Sequence, residues 1–347
     1  MKNNDCNLFR GCRAVKKSRI LPLLAAALLL AFLLSFSMGR YSVPLEQTLR
    51  ILWGRLFSTE VTWTAQMQAA VVELRLPRIL LAMLVGASLS AAGTAYQSVF
   101  RNPMAAPDIL GASSAACFGA ALGILLGVGR AAGIALSFAM SLGSVALVYG
   151  VSRRTRGSRL VNLLLSGIVV SSLFSAGTSW LKLAADPADQ LPAITYWLMG
   201  SLKDVRLSTV GFALVPITAG LVPLLLLRWR MNLLTVGREE ALSMGVNVEK
   251  VRLTVILCAT LLTAAAVSVS GLIGWVGLIV PNLCRKWVGS DCRRLMPVSV
   301  LSGALFLLAA DDVSRCLLAA EIPIGILTAL LGAPFFLYLM TRKEYAL

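Results

Sequence analysis

Residues 75–113 read RLPRILLAMLVGASLSAAGTAYQSVFRNPMAAPDILGAS. Within them, 79–98 is an apolar run with no charged residue. A bilayer core takes about 20 such residues to cross as a helix. The run is also rich in small residues four apart: Gly86 with Ser90, Ala87 with Ala91, Ser88 with Ala92. That spacing lets helix backbones approach closely in lipid. The tail RNPMAAPDILG, with two prolines and a polar pair, reads as a short turn.

The rest of the chain repeats this signature. Of its 347 residues, 58% are hydrophobic and 14% charged, with mean hydropathy +0.81. Runs near 109–128, 131–151, 160–181, 208–227, 253–272, 273–288, 297–316 and 324–341 follow. A further run, ILPLLAAALLLAFLLSFSMG at 20–39, sits behind a basic tail, residues 1–19. A signal peptide also has a basic start and an apolar core. This core is too long for a typical one, and no clean small-x-small site closes it, so it reads as a retained span. The sequence thus predicts an all-α, polytopic membrane protein of about ten transmembrane helices. It is organised as the tail 1–19, one membrane domain over 20–341 and a C-terminal tail 342–347.

Ten spans put both termini on one side. If that side is cytoplasmic, 22 of the 32 Lys and Arg residues lie inside and 10 outside. This is the bias the positive-inside rule expects. It also explains the net charge of +16 without nucleic acid. The expected location is the cell's inner or plasma membrane, and RNPMAAPDILG becomes a cytoplasmic turn.

Several chemistries are excluded. The chain has no histidine, hence no imidazole metal ligand or proton shuttle. Its seven cysteines are scattered without a CxxC pair. No Gly-Lys pair occurs, so the chain holds no phosphate-binding loop of the G-x-x-x-x-G-K-[ST] type. No nucleophile–base pair suggests catalysis, and no catalytic or metal residue is expected. Proton-driven carriers keep acids within the bilayer, yet spans two to eight carry none in their interiors. Asp311 and Asp312, with Arg315 one turn on, read as a local ion-paired cluster near the outer surface.

Uphill transport would then draw energy from a partner through a cytoplasmic contact. The candidate is TVGREEALSMGVNVEKVR at 235–252, a charged stretch between two apolar spans. Gly237 and Gly245 bracket an expected short helix, about 235–248. Glu239 and Glu240 sit in its first turn, where the helix dipole favours acids. A solvated connector is the plainer alternative. Span five carries Gly167, Ser171, Ser175 and Ser179 at steps of four, with Thr178 beside them. This face serves either helix packing or the lining of a translocation path. In GLIGWVGLIVPNLCRKWVG, glycines three apart and Pro281 predict a tight turn into a short eighth span.

Five ordered blocks carry a resemblance. They are RLPR (75–78), RNPMAAPDILGASS (101–114), GREEALSMGV (237–246), GLIGWVGLIVPN (271–282) and EIPIGILTALLGAPFF (321–336). Together they resemble the permease subunits of type II ABC importers for iron–siderophores, haem and vitamin B12, over about residues 20–341.

The resemblance implies a vitamin B12-importer-like permease fold and a dimer with a second permease, identical or sister. The path runs along the dimer interface. ATP and Mg belong to a separate dimer of cytoplasmic ABC ATPases, and this chain binds no cofactor. An extracytoplasmic substrate-binding protein delivers cargo, most simply a ferric siderophore or related iron complex, with haem or vitamin B12 as alternatives. By resemblance, Gly237, Arg238, Glu239, Glu240, Ala241, Met244 and Gly245 form the coupling helix on the ATPase. Arg75, Arg78 and Arg315 dock acidic residues of the binding protein, where guanidinium forks suit carboxylates; membrane-border anchoring is the plainer role. Gly167, Ser171, Ser175, Thr178 and Ser179 match the path-lining helix. Two departures stand out. Asn282 replaces a histidine frequent in the family, and Asp312 sits where the family tends to be apolar. A secondary carrier with carbonyl-built sodium sites, or a membrane scaffold, are the rival classes.

Overall fold

The computed structural model describes residues 19–39, 41, 43–57, 63–235, 243–318 and 320–341. Among the described residues there are helices but no strands. In chain order they are α1 (Ile20–Ser37), α2 (Leu45–Leu56), α3 (Ala65–Phe100) and α4 (Ala112–Leu125). Then come α5 (Arg130–Arg154), α6 (Arg159–Ala184), α7 (Gln190–Leu198) and α8 (Leu207–Asn232). The last four are α9 (Val248–Ser270), α10 (Val276–Val288), α11 (Cys292–Cys316) and α12 (Ile324–Thr341). All ten expected spans coincide with helices, and α2 and α7 are short additions in the expected outer loops. Seven helices are long and apolar enough to cross a bilayer unaided. The helices α4, α10 and α12 are shorter or less uniformly apolar.

The bundle is built around α3. It begins with one α-helical turn, Ala65–Gln68, passes through a π-helical stretch, Ala69–Arg75, and continues as α-helix to Phe100. Nearly every residue from Val85 to Val99 is buried, whichever way it points. A helix apolar on all sides belongs inside a bundle. It packs along α11 and α9, and also against α8 and α10. The small residues explain how. A methyl group on Gly86 would collide with the Gly303 backbone, and one on Gly303 with Gly86. One turn on, Ser90 Oγ donates to Ser299 O at 2.8 Å. Two turns along the same face from Gly86, a methyl on Gly93 would strike the Gly277 carbonyl of α10. Tyr96 and Thr260 share a buried hydroxyl bond of 2.9 Å between α3 and α9. By contrast, only a minority of the residues of α5, α6 and α8 are buried.

One connection differs from expectation. Residues 101–111 are not a simple turn at the end of α3. They climb back along α10: Asn282 Nδ2 donates to Pro103 O at 3.0 Å, and Pro107 packs against Gly277 beside the Leu89 carbonyl. Leu89 lies eleven residues above Phe100, about 16 Å along the axis. Pro103 and Pro107 cannot donate a helical bond, so α4 starts only at Ala112, well inside the bundle. Irregular backbone is tolerated at such depth only where protein buries it or it lines a cavity.

Gly93→Val should therefore force α3 and α10 apart. We expect destabilisation of about 1–3 kcal/mol or more, read as a lower thermal unfolding midpoint of the solubilised protein. Gly150→Ala, where a methyl group meets only open space, should leave the midpoint unchanged or higher. Equal midpoints for Gly93→Val and the parent protein would refute the close backbone contact.

Candidate functional site

Three expected docking residues converge at one end of the bundle. Arg75 and Arg78 lie where the π-helical stretch of α3 gives way to α-helix, and Arg315 lies at the end of α11; all three are less than one-tenth exposed. Arg78 Nε bonds both oxygens of Asp311, at 2.9 and 3.2 Å, and its Nη1 bonds Glu321 Oε2 at 2.9 Å. Arg315 Nε pairs with Asp311 Oδ2 at 3.1 Å, while its Nη2 contacts Asp312 and Ser35 Oγ. Ser35 Oγ also donates to Asp312 at 2.6 Å, so a residue of α1 is stitched to α11. Arg75 donates instead to the carbonyls of Phe36 and Tyr41. Among the described residues it has no carboxylate partner. The expected pairing of Asp311 and Asp312 is present, but Asp311 is completely buried. Asp312, the odd acid of the sequence, holds Arg315 and α1 together.

A cavity of about 290 Å³ opens beside this cluster. Arg75, Arg78, Arg315, Lys203, Asp204 and Glu321 contribute its polar lining. Asp204 has a left-handed backbone, φ 57°, and Arg130 Nη1 grips its carbonyl at 2.5 Å.

The expected path face on α6 is divided. Gly167 is buried against Ile109 and Leu110 of the climbing segment, and Thr178, three turns further along α6, is also buried. Ser171 is half-buried, whereas Ser175 and Ser179 are exposed. The helix pitch explains this. Each step of four residues turns about 40° beyond a full revolution, so Gly167 to Ser179 rotates about a third of the way round. Thr178, eleven residues on, returns to the side of Gly167. Around Ser175 and Ser179 lies a broad apolar surface including Leu165, Ile168, Val169, Leu173 and Trp180.

Of the expected coupling helix, Gly237, Arg238, Glu239, Glu240 and Ala241 lie outside the described residues. Its end is described: Ser243 is helical, Met244 and Gly245 form a turn, and Gly245 has φ 72°. Leu233–Thr235 forms a 3₁₀ turn before it, anchored where Arg101 Nε donates to Leu234 O at 2.7 Å. After it, Asn247 caps α9, accepting from Lys250 N at 3.1 Å. Glu249 in the first turn of α9 bonds Arg159 of α6 at 2.7 Å and Arg252 at 3.1 Å. The segment following the expected coupling helix is thus tied directly to the start of α6.

Asn282 is occupied structurally. Its amide donates to Pro103 O and Leu278 O, and its oxygen accepts from Arg285 at 2.6 Å. Nearby, Asp291 caps α11 through Arg293 N and accepts from Asn232. Burial works against its charge, but these bonds and the Arg293 and Arg294 charges outweigh it and hold the carboxyl below its ordinary range. Its stabilising contribution is complete at neutral pH and fades as the pH falls through that lowered value.

Sequence reasoning missed Asp108. The climbing segment carries it to a cavity of about 430 Å³ lined also by Leu89, Pro107, Ile273 and Trp275. Trp275 has φ 69°, a strained value for a bulky residue. The signal was available: two prolines within nine residues of a helix start, Pro103 and Pro107 before Ala112, mark an interrupted span.

With this geometry in view, relatives are informative. A family model described as the FecCD transport family matches residues 27–342. The molybdate import system permease MolB of Haemophilus influenzae is 39% identical over 92% of this chain and 94% of its own. The hemin transport system permease HmuU of Yersinia pestis is 38% identical over 94% of this chain and 98% of its own. A solved inward-facing ABC transporter, described as of metal-chelate type, superposes with TM-score 0.84 at 37% identity. That match covers 93% of this chain and 99% of the solved one.

Asp311→Asn should leave two buried guanidinium groups short of charge. The expected cost is about 3–5 kcal/mol, measured by denaturation of the solubilised protein or by loss of membrane-inserted material. Glu46→Ala, which breaks an exposed pair with Arg50, should cost less than about 1 kcal/mol. Equal effects would show that the cluster is not a buried charge lattice.

Proposed function

The chain belongs to the FecCD transport family, and from that membership we propose that it carries a ferric siderophore or related iron complex across the membrane. It is an ABC importer permease, an integral membrane protein built from multiple apolar helices. The observation that carries the cargo reading is the full-length likeness to a metal-chelate type transporter. The Fe(3+) dicitrate permease FecC of Escherichia coli, 38% identical over 80% of this chain, supports it. Haem and vitamin B12 are the alternatives, and the molybdate relative adds an oxyanion to the range.

The energy comes from ATP and Mg on a separate pair of cytoplasmic ATPase subunits. Residues 237–245 rest on them, with Met244 supplying apolar surface and Gly245 the turn that releases the chain towards α9. The Glu249–Arg159 contact gives this motion a route to α6. A second permease, identical or sister, covers the exposed apolar face of α6, and cargo passes along that seam beside Ser175 and Ser179. Gly167 and Thr178 shape the seam from behind by packing α6 against the climbing segment and its neighbours. Both termini are cytoplasmic. The arginine cluster then faces outside, where a substrate-binding protein docks its acidic residues at the cavity lined by Arg75, Arg78 and Arg315.

The test is reconstitution of the permease with its ATPase and binding protein in liposomes. ⁵⁵Fe-labelled ferric siderophore, haem, cobalamin and molybdate would be supplied in turn. ATP-dependent accumulation is expected for the iron chelate, and none when the ATPase phosphate-loop lysine is replaced. Uptake that survives that replacement would indicate a secondary carrier. Gly245→Val should keep ATP hydrolysis but cut transport at least about tenfold, because a β-branched residue resists a positive φ. Intact transport would remove this turn from coupling.

A further inference from the structure

The arginine cluster contains an internal stand-in for its partner. We propose that Glu321 occupies, in the undocked permease, the place that a carboxylate of the binding protein takes on Arg78. This rests on the docking reading above and names how that site is regulated.

Charge balance is the first observation. Arg75, Arg78 and Arg315 bring three positive charges, and Asp311 and Asp312 supply two negative ones from α11. Glu321 supplies the third. Buried guanidinium groups without matching carboxylates are costly. The cluster therefore takes one further acid, and an incoming carboxylate competes with Glu321 for that position.

The three acids are not equivalent. Asp311 and Asp312 stand on a helix and are buried. Glu321 lies in the irregular connection between α11 and α12, with a quarter of its side chain exposed, on the rim of the 290 Å³ cavity. It meets Arg78 through Nη1 alone, while Asp311 keeps Nε. Releasing Glu321 therefore leaves Arg78 paired. Arg75, in the same cavity, has only carbonyl partners among the described residues and offers the first contact to an approaching acid.

Release would also carry a message. The connection is pinned by Ser314 Oγ, which donates to Ile322 O at 2.5 Å. Three residues beyond Glu321, α12 begins, and Gly325 sits directly on the carbonyls of Met199 and Leu272. Gly332 of the same helix packs on Trp275, which lines the Asp108 cavity. Docking that displaces Glu321 thus loosens the segment leading to a wall of that cavity. The exchange makes outer docking and inner rearrangement two sides of one equilibrium.

The experiment uses the intact permease–ATPase assembly in nanodiscs and its cognate binding protein, with affinity measured by biolayer interferometry. Glu321→Gln removes the competitor. We expect binding to tighten about fivefold, in the range of a partly exposed ion pair, and ATP hydrolysis without binding protein to rise. Ser314→Ala, which frees the connection without altering charge, should tighten binding about twofold by the same competition. It guards against poor folding of the first variant. Arg75→Ala should weaken binding. If Arg75→Ala weakens binding while Glu321→Gln and Ser314→Ala leave it unchanged or weaker, the stand-in is wrong and the docking surface survives. If Arg75→Ala also has no effect, the docking reading falls and the stand-in with it.

Discussion

α3 is surrounded by α8, α9, α10 and α11, and in lipid such burial is not driven by expelling water from between helices. It depends on backbones that come close enough for extensive dispersion contact. Gly86 against Gly303 and, two turns further along the same face, Gly93 against Gly277 supply that closeness. Everything else is arranged around it. The hydroxyls that punctuate α3 bond inward to carbonyls of their own or neighbouring helices, so polar groups do not interrupt the contact. Ser88 donates to Leu84 O and Thr94 to Ser90 O.

The same closeness explains the charges at the end of α3. Once α3 and α11 touch along their length, Arg78 and Arg315 must end side by side, away from free solvent. Like charges in that position need acids between them, and Asp311 takes hydrogen bonds or ion pairs from both. Asp312 turns towards Ser35 and brings α1 into the lattice. The ion-paired cluster that the sequence suggested is present, as a buried joint of three helices. The arginines that the family resemblance marks for docking are therefore held in fixed positions by their own protein.

At the other end, irregular backbone does what helices cannot. Pro103 and Pro107 stop α4 from starting early, and the freed backbone is satisfied by Asn282 and by turns of its own. The result is a carboxylate, Asp108, carried into the bundle without being part of any helix. Two further ties at this end run between elements far apart in sequence: Arg101 after α3 to Leu234 in the turn 233–235, and Glu249 of α9 to Arg159 of α6.

The apolar runs alone were enough to read ten helices and their order, because a bilayer demands about 20 uncharged residues for each full crossing. The Lys and Arg distribution gave an orientation, the missing histidine removed imidazole chemistry, and five ordered blocks identified the family. These are local or additive properties, legible one residue at a time. Contacts are not. That Arg78 meets an acid 233 residues away, that a stripe at steps of four divides between a packed and an open side, and that RNPMAAPDILG climbs rather than turns, all depend on which helices become neighbours. Only the packing of α3 decided that, since close approach of backbones sets depth and register together.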